Sequence, residues 1–442
     1  MEAGCHRRFD KLAAAITSAA LLAHAQMPGS NSFTRRRKMP LDDIVASAMA
    51  QKGLTTSMEL RHYFKQKGQG PMGISKQGYL KRRKRLNPEV FSHLNREYLA
   101  DFYASDEPVL WNGYLVFAID GSKAEVPNSA ENDRTFGKSG NGRSEGQPRA
   151  LVSGMCDVFN DFFLDIQIGR HTDSEAKLAR QNILALNGLV PYVPALVVFD
   201  RGYPSLALVD FLEEQGIDYL IRLASGDYIK EREAMAGDDG QAVIQHTSQR
   251  LATIRSRDPE AAARLKEKGR TRTRILNLAL PSGKAITLMT SLPASHSSQE
   301  VADLYYMRWG IEKKYHTLKN KLKLESVTGK ASIYVYQDFW ARVLVYNMIQ
   351  DVRHAADGQV RERAAAKNYK HPVHTNENMA IGLFKEELVQ IMLEQDPGQR
   401  CAMLLRLQES IEAYVLPVRQ CRSSPRQHNA SNKYKNNQKS SF

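Results

Sequence analysis

Two short apolar segments, each followed by an aspartate, constrain the fold of this chain most strongly. They cover residues 114–119 and 195–199, and the residues that follow them are Asp120 and Asp200. Short segments that are apolar throughout are typical of strands buried on both faces, as in parallel sheets covered by helices. The middle of the chain is therefore expected to form an α/β domain, with both aspartates at the carboxyl ends of strands.

Other patterns in the same region agree with this fold class. Further strands are predicted at residues 150–159, 162–168, 219–223, 273–280 and 285–292, and helices at 174–186, 206–215 and 298–324. Strands and helices that alternate in this way predict a mixed sheet. A turn-forming or helix-capping role remains the alternative for either aspartate taken alone.

The composition divides the chain into four regions. We predict an N-terminal helical region at residues 1–105, an α/β domain at 106–330, a C-terminal helical region at 331–416 and a basic tail at 417–442. The tail has six lysines and arginines, no acidic residue, and many Asn, Ser and Gln residues. A segment of this kind cannot bury an apolar core, so we expect it to be disordered and available to contact DNA.

An excess of positive charge favours a polyanionic partner. The chain has 62 lysines and arginines against 48 acidic residues, a formal net charge of +14. Nucleic acid is the first candidate and an anionic membrane surface the second. No apolar stretch is long enough to span a membrane. The four cysteines (Cys5, Cys156, Cys401 and Cys421) lack zinc-binding spacing, which favours a reducing cytoplasm and no structural zinc.

The N-terminus has a pattern that imitates a secretory signal peptide. Three basic residues precede the apolar residues 12–25, which end in a small-x-small motif. Asp10 and the weak hydrophobicity of this alanine-rich stretch argue against export. We prefer a short amphipathic helix, or residues upstream of a true start at Met27 or Met39.

The positive charge is concentrated between residues 60 and 88, where nine lysines and arginines occur without any acidic residue. Helices are predicted at residues 41–51, 57–66 and 75–86, the last of them capped by Ser75. Three short helices with a basic third one are typical of helix-turn-helix readers of duplex DNA. The candidate DNA-binding residues are Lys76, Lys81, Arg82, Lys84 and Arg85. The alternative is a solvated basic helix without groove contacts. A second basic cluster, at residues 35–38, could reach a DNA backbone or a minor groove.

The predicted helix at 298–324 supplies a third carboxylate. Tyr305, Arg308, Glu312 and Lys319 are spaced by three, four and seven residues. At about 100° per residue they fall within roughly a 60° arc, so one helix face would carry a phenol, a guanidinium, a carboxylate and an ammonium. An ordinary surface face with helical ion pairs is the alternative explanation.

Two aspartates and a glutamate without His or Cys partners suit hard Mg²⁺ or Mn²⁺ ions rather than zinc. Two such ions, about 3.5–4 Å apart, can activate a water or a DNA 3′-hydroxyl and stabilise the leaving oxygen in an in-line displacement at phosphorus. Arg308 and Lys319 would then hold phosphate, Arg308 as a fork and Lys319 as a point charge.

The spacing of Tyr305, Arg308, Glu312 and Lys319 resembles the Tyr-Arg-Glu-Lys signature of the DDE transposases of the insertion-sequence-four family. The sequence around it, Tyr-Tyr-Met-Arg-Trp-Gly-Ile-Glu at 305–312, carries the first three of these residues. The contexts Asp120-Gly-Ser and Phe-Asp-Arg-Gly-Tyr at 199–203 are similar to that family's other two acidic motifs. Residues 33–41 and 325–330 also resemble bacterial members, so the resemblance covers roughly residues 35–393.

The resemblance implies a ribonuclease-H-like catalytic core, with Asp120, Asp200 and Glu312 as catalytic residues and metal ligands. It also implies that Tyr305 binds DNA phosphate together with Arg308 and Lys319. The 111 residues between Asp200 and Glu312 exceed what two strands and a helix require. In the family such a gap holds a mainly β insertion, which here would occupy residues 224–292.

The resemblance also implies a function. We expect a DNA transposase that cuts insertion-element ends and joins them to target DNA, with Mg²⁺ or its substitute Mn²⁺. Its partner would be double-stranded DNA, at the ends and at the target, bound by a homodimer in the bacterial cytoplasm, at the nucleoid. A catalytically silent DNA-binding regulator of transposase ancestry is the alternative. A structure-selective nuclease that cuts without joining is a third hypothesis.

Overall fold

The computed structural model describes residues 2–35, 37–70, 73–139, 146–190, 193–279, 285–367, 369 and 371–418. The chain divides into two compact units. The helical unit comprises Met1–Glu107, Ala124–Pro148 and His316–Phe442, and the sheet unit comprises Pro108–Lys123 and Arg149–Tyr315. The predicted N-terminal and C-terminal helical regions thus belong to one unit, which their distance along the sequence did not indicate.

Helices dominate the described residues at both ends of the chain. In chain order the α-helices are α1 (Glu2–Thr17), α2 (Leu21–Ala25), α3 (Leu41–Met49), α4 (Thr56–Gln66), α5 (Lys76–Arg83), α6 (Glu89–Tyr103), α7 (Ala130–Phe136), α8 (Glu175–Leu184), α9 (Leu206–Glu214), α10 (Ile229–Glu233), α11 (Ser248–Arg255), α12 (Pro259–Lys268), α13 (Ser298–Met307), α14 (Gly310–His316), α15 (Ser332–Ala366), α16 (Glu377–Leu393) and α17 (Pro397–Glu412). The strands are β1 (Leu115–Glu125), β2 (Lys138–Ser139), β3 (Gln147–Asp157), β4 (Phe163–Arg170), β5 (Ala195–Phe199), β6 (Asp218–Leu223), β7 (Asp239–Gln245), β8 (Arg270–Ala279), β9 (Ala285–Thr290), β10 (Val373–Thr375) and β11 (Val415–Pro417).

The sheet unit is built on one mixed sheet. Strand β3 pairs with β4, and from β3 the order continues β1-β5-β6-β9-β8-β7. Strands β1, β5 and β6 run parallel, whereas β6–β9, β9–β8 and β8–β7 are antiparallel pairs. The predicted α/β fold with a ribonuclease-H-like mixed sheet is therefore confirmed.

The parallel pairing of β1 with β5 brings the two aspartates to the same level of the sheet. Ala118 lies opposite Val198, so Asp120 and Asp200 each follow that pair by two residues. Asp200 directly follows β5, as predicted. The prediction that Asp120 ends its strand was wrong, because β1 continues to Glu125 and only its pairing with β5 stops at Ala118. The residues of this extension are mostly small or polar, so they lack the apolar pattern from which strands are predicted.

Helix α13 is fixed to this sheet by a shared apolar core. Val301, Leu304 and Tyr305 of the helix belong to the same buried cluster as Val198 and Leu220 of the strands. Tyr305 is only 1% exposed. The burial of α13 therefore fixes the position from which the next residues reach the sheet edge.

The predicted single helix at residues 298–324 is interrupted twice. Between α13 and α14 the amide of Arg308 donates to the Tyr305 carbonyl (3.2 Å), which is a tighter i→i−3 turn. After α14, residues Thr317–Lys321 form a π-helix, in which the Leu322 amide donates to the Thr317 carbonyl (2.9 Å). The prediction was wrong because apolar periodicity indicates helical character but not the hydrogen-bonding class of each turn.

The predicted insertion at residues 224–292 contains the strands β7, β8 and β9. Because β9 pairs with β6, these strands extend the main sheet. The described residues of this range also form α10, before β7, and α11 and α12, between β7 and β8, which the sequence pattern did not predict. Arg264 of α12 donates to Asp210 of α9 (3.0 Å), so the insertion is tied to the core of the sheet unit.

The helical unit is organised around the long helix α15. This helix packs against α1, α3 and α6. The predicted amphipathic N-terminal helix is confirmed by α1, whose Arg8 is 1% exposed and donates to Asp351 at 2.6 and 2.8 Å. Its buried apolar face consists of Cys5, Phe9, Leu12, Ala13 and Ile16.

The three predicted helices of the basic region are present as α3, α4 and α5. The Ser75 hydroxyl accepts a hydrogen bond from the Gly78 amide (3.1 Å), which confirms the predicted N-cap. Helix α5 ends at Arg83 rather than at Leu86. Pro417, the first residue of the predicted tail, lies in β11, which pairs with β10. Residues 419–442 lie outside the described part of the chain, and within that part no helix has the length and hydropathy needed to cross a membrane.

Candidate active site

The site begins with two aspartates held by their own neighbouring amides. The Asp120 carboxylate accepts from the Gly121 amide (2.9 Å) and the Asp200 carboxylate accepts from the Arg201 amide (2.7 Å). Their side chains are 23% and 35% exposed. Both carboxylates are therefore oriented locally while they remain accessible.

A buried arginine lies between these aspartates and the third carboxylate. Arg308 is 2% exposed, and its Nη1 lies 4.0 Å from Asp120 Oδ2. Its Nη2 lies 4.0 Å from Asp200 Oδ2 and 3.9 Å from Glu312 Oε1. In spite of the helix interruption, the structure thus brings Asp120, Asp200, Glu312 and Arg308 together in the sheet unit.

Aromatic rings fix the guanidinium of Arg308. Its Cζ lies 5.7 Å from the ring centre of Tyr305 and 5.5 Å from that of Trp309. Its Nε and Nη1 are buried and have no hydrogen-bond partner among the described residues. The Tyr305 hydroxyl donates to Asp200 Oδ1 (3.3 Å). The arginine therefore balances negative charge at a distance and retains unused donors.

The electrostatics of Asp120 are those of a carboxyl group that lacks a close cation. Burial raises the pKa of Asp120 to about 6, the charges of Glu175 and Asp200 add to that effect, and Arg308 with the Gly121 amide opposes it. A divalent cation would remove this penalty. The oxygen-only donor set of Asp120, Asp200 and Glu312 therefore suits a hard ion such as Mg²⁺.

The spacing of the carboxylates is set by the guanidinium between them. Among the described residues no group of three or more His, Cys, Asp or Glu side chains lies close enough together to hold one metal ion. Binding of an ion by Asp120, Asp200 and Glu312 would thus require side-chain movement. Glu312 is 43% exposed, so rotation of its side chain would meet little resistance.

Two further residues near Asp120 were missed by the sequence analysis. Glu175, the first residue of α8, places its carboxyl carbon 2.6 Å from where a Cβ at position 121 would lie. The buried Tyr203 hydroxyl has no hydrogen bond of acceptable geometry among the described residues. Burial raises the Tyr203 pKa well above its usual range, and the charges of Glu175 and Asp120 add to this. Tyr203 lies in the 199–203 motif, whereas no sequence signal marks Glu175.

Tyr315 positions the backbone of Asp120. Its hydroxyl lies 2.9 Å from the Asp120 carbonyl oxygen and 3.0 Å from that of Val152. A Cβ at Gly154 would lie 2.7 Å from the same hydroxyl, so glycine is needed there for this approach. Tyr315 is only 5% exposed, so this contact lies inside the sheet unit.

Lys319 lies in the π-helix of the helical unit and is half-buried. Its predicted angular position was calculated for continuous α-helix, so that calculation was wrong beyond His316. Wider π-helical winding changes the direction of every later side chain. The face shared by Tyr305, Arg308 and Glu312 does not depend on this segment.

The predicted DNA-binding residues of the basic region are accessible. Lys76, Lys81, Lys84 and Arg85 are exposed, and Arg82 is half-buried. Their neighbour Arg83 is buried and donates to Asp338 Oδ1 (2.7 Å) and Gln337 Oε1 (3.0 Å) of α15. Arg83 therefore fastens α5 to the helical unit, while Lys76, Lys81, Lys84 and Arg85 remain exposed to solvent.

This chain is similar to known proteins in sequence and in fold. Residues 111–348 match the family described as Transposase DDE domain. The chain is 24% identical over 360 residues to the transposase InsG for insertion sequence element IS4 of Escherichia coli (strain K12). The aligned residues make up 78% of each of the two chains. A solved structure, the synaptic complex of piggyBac transposase with hairpin DNA, has a TM-score of 0.41 and 9% identity, covering 96% of this chain and 87% of that one.

Proposed function

Since this chain belongs to the DDE transposase family and is of the insertion-sequence-four type, we propose that it cuts DNA at the ends of its insertion element. It then joins those ends to target DNA, with Mg²⁺ as the cofactor and Mn²⁺ as a substitute. The observation that carries this proposal is the convergence of Asp120, Asp200 and Glu312 on the buried guanidinium of Arg308.

Each residue has a separate task in this proposal. Divalent ions held by Asp120, Asp200 and Glu312 would supply the charge that activates a water or a 3′-hydroxyl and stabilises the leaving oxygen. Arg308 uses its unsatisfied Nε and Nη1 to donate to oxygens of the phosphate that is attacked. Tyr305 orients the Asp200 carboxylate through its hydrogen bond. Lys319 binds DNA phosphate as a point charge.

DNA binding is assigned to the basic face of α5. Lys76 and Lys81 of α5, and Lys84 and Arg85 directly after it, are exposed, and no acidic residue occurs between positions 60 and 88. Such a face attracts the phosphates of duplex DNA and releases their counterions. We further propose that the complex with the element ends is a homodimer and that the protein acts in the cytoplasm, at the nucleoid.

One observation favours a second function. In this structure the arginine takes the central position among the three carboxylates, and no metal-binding cluster is formed by the described residues. A chain locked in this arrangement would bind element ends without cutting them and act as a regulator of transposase ancestry.

A strand-transfer assay tests both functions. The purified full chain is incubated with a labelled duplex that carries an element end, with supercoiled target DNA and with Mg²⁺ or Mn²⁺. Nicked and joined products are expected from the wild type. Asp120→Asn, Asp200→Asn and Glu312→Gln should bind the duplex normally but form no product. The control is Asp303→Asn, because Asp303 is an exposed carboxylate on α13.

The outcomes separate the hypotheses. Nicking at the wild-type rate by one of the three site variants removes that residue from the proposed site. Specific binding by the wild type without any nicking in either metal supports the silent regulator. Nicking without joined product supports a nuclease that cannot transfer strands.

A further inference from the structure

The helical unit contains a basic pocket whose walls come from two segments of the N-terminal region. The pocket has a volume of about 270 Å³ and is lined by residues 31–35 and 37 on one side and by Arg82 and Arg85, at the end of α5 and just after it, on the other. Its charged lining consists of Arg35, Arg37, Arg82 and Arg85. No acidic side chain is among the described residues that line it, so none of these lining residues balances its positive charge.

Arg82 is the most constrained of these arginines. Its Nε and Nη2 are buried and have no hydrogen-bond partner among the described residues. These two nitrogens lie on the same edge of the guanidinium, which is the edge that donates in parallel to two oxygens of a phosphate. Burial lowers the pKa of Arg82, and the positive charges of Arg37 and Arg85 lower it further. The site therefore brings together like charges that only an anion would stabilise.

The pocket is preformed by its loop. The ring of Phe33 lies 5.0 Å from Arg82 Cζ, and Phe33 has a φ of +67°, a left-handed conformation that is uncommon for a bulky residue. Such conformations persist where the surroundings hold them, often at binding sites. The Gln26 side chain donates to the Ser32 carbonyl (2.7 Å) and helps to hold this loop. The Asn87 amide donates to the Ala25 carbonyl (2.9 Å), which joins the segment before the loop to the segment after α5.

We propose that this pocket binds one phosphate group of the backbone of duplex DNA, with Arg82 as the bidentate donor and with Arg37 and Arg85 as supporting charges. The choice of DNA rests on the proposed function, and the anion site itself rests on the pocket alone. A contact to phosphate carries no base information, so the pocket fixes where α5 lies on the duplex and leaves reading of bases to other side chains. Arg82 is thereby distinguished from the exposed Lys76 and Lys81 on the same helix.

The test measures the affinity of the full chain for two fluorescent duplexes, one with the element end and one of random sequence, across a series of NaCl concentrations. Arg82→Gln should weaken binding to both duplexes by about tenfold or more and lower the salt slope by about one contact. The ratio of the two affinities should stay the same. Arg406→Gln is the matched control, because Arg406 is an exposed arginine on α17, outside the pocket and outside the basic region.

A second measurement locates the contact on the DNA. Replacing single phosphates by neutral methylphosphonates should identify one position that weakens the wild type and has no further effect on Arg82→Gln. Arg37→Gln, a substitution in the exposed part of the loop, should also weaken binding to both duplexes. It replaces Arg82→Gln in the test if that variant does not fold. The proposal is overturned if Arg82→Gln and Arg37→Gln both bind DNA like the control Arg406→Gln.

Titration with inorganic phosphate separates the pocket from the proposed function. Phosphate that binds the wild type, but not Arg82→Gln, supports the anion site. If the wild type binds phosphate in this way but no duplex, the assignment to DNA fails. If the wild type cuts and joins DNA while Arg82→Gln binds DNA and phosphate as tightly as the wild type, the pocket assignment fails and the proposed function stands.

Discussion

The Nη1 atom of Arg308 lies 4.0 Å from the Asp120 carboxylate and makes no hydrogen bond to it. The guanidinium is nevertheless only 2% exposed, and the rings of Tyr305 and Trp309 hold it. An arginine with a purely structural role satisfies its buried donors, because an unpaired buried donor is costly. Arg308 therefore has the properties of a group whose partner arrives with the substrate.

The first prediction concerns this donor set. Arg308→Lys keeps the charge but loses the fixed, planar set of guanidinium donors, so it should reduce the cleavage rate by roughly tenfold or more, equivalent to about 1.4 kcal/mol in the barrier. Its thermal unfolding temperature and its affinity for Mn²⁺ should stay close to those of the wild type. Single-turnover cleavage of an end duplex measures the effect. Cleavage at the wild-type rate, or unfolding of the variant, contradicts the phosphate role.

Arg274→Lys is the matched control. Arg274 is 3% exposed and donates to both oxygens of Asp239 at 2.7 and 2.5 Å, and to the carbonyls of Pro293 (2.8 Å) and His296 (2.9 Å). This arginine is fully engaged in the sheet unit, so its replacement should lower stability. The cleavage rate per folded molecule should not change.

The second prediction is that the three carboxylates bind a divalent metal without DNA. Mn²⁺ should bind the wild type and raise its unfolding temperature, because a ligand that binds the folded state stabilises it. Asp120→Asn or Asp200→Asn should weaken Mn²⁺ binding by about tenfold or more, since each loses a charged ligand of a hard ion. Electron paramagnetic resonance of free Mn²⁺ gives the affinities. Equal binding by Asp120→Asn and the control Asp303→Asn would remove Asp120 from the metal site.

The third prediction concerns the approach of Glu175 to Gly121. A Cβ at position 121 would lie 2.6 Å from the Glu175 carboxyl carbon, which is the end of a flexible and exposed side chain. Gly121→Ala should therefore leave stability nearly unchanged but displace Glu175 from Asp120 and alter the cleavage rate. Because both changes act through one carboxylate, Gly121→Ala combined with Glu175→Gln should behave like Glu175→Gln alone. Additive effects of the two substitutions would show that the Cβ acts on the backbone of Asp120 instead.

Local chemistry explains which parts of the site were predictable. Asp200 follows a strand that is apolar at every position, so both its place and its sheet edge were evident. Tyr305, Arg308 and Glu312 keep one face because the turn at Arg308 displaces them only slightly from helical spacing. These features depend on residues close in sequence, where periodicity is informative.

Contacts between distant residues were not predictable. Arg8 pairs with Asp351 and Arg83 with Asp338, so the two ends of the chain share one helical core. Arg83 looked identical to its basic neighbours because nothing in its local sequence marks the carboxylate more than 200 residues away. The π-helix that contains Lys319 was missed for a different reason, since apolar spacing indicates a helix but not the hydrogen-bonding class of each turn.

The last prediction concerns Lys385, which is fully buried in the helical unit. Its Nζ donates to the carbonyls of Met49 (2.9 Å) and Gln51 (2.7 Å), at the end of α3, and no carboxylate of the described residues forms a hydrogen bond with it. Burial lowers the pKa of Lys385 to about 7, and the positive charges of Arg342 and Lys52 oppose protonation further, against the attraction of Glu59. The amine needs only two protons for its two hydrogen bonds, so its neutral form satisfies both carbonyls.

The sign of the effect on stability follows from proton linkage. The folded-state pKa of Lys385 lies below its unfolded value of 10.5, so the unfolded chain binds more protons between about pH 7 and pH 10. The free energy of unfolding should therefore rise with pH in this window, by at most about 1.4 kcal/mol per pH unit from this residue. In Lys385→Met, which keeps an unbranched apolar chain, the part of the slope that Lys385 contributes should be absent. Urea unfolding of both proteins at about pH 7, 8 and 9, which lie inside this window, gives the free energies of unfolding to compare. Parallel pH profiles for the wild type and Lys385→Met would mean that Lys385 is charged in the folded protein throughout this range.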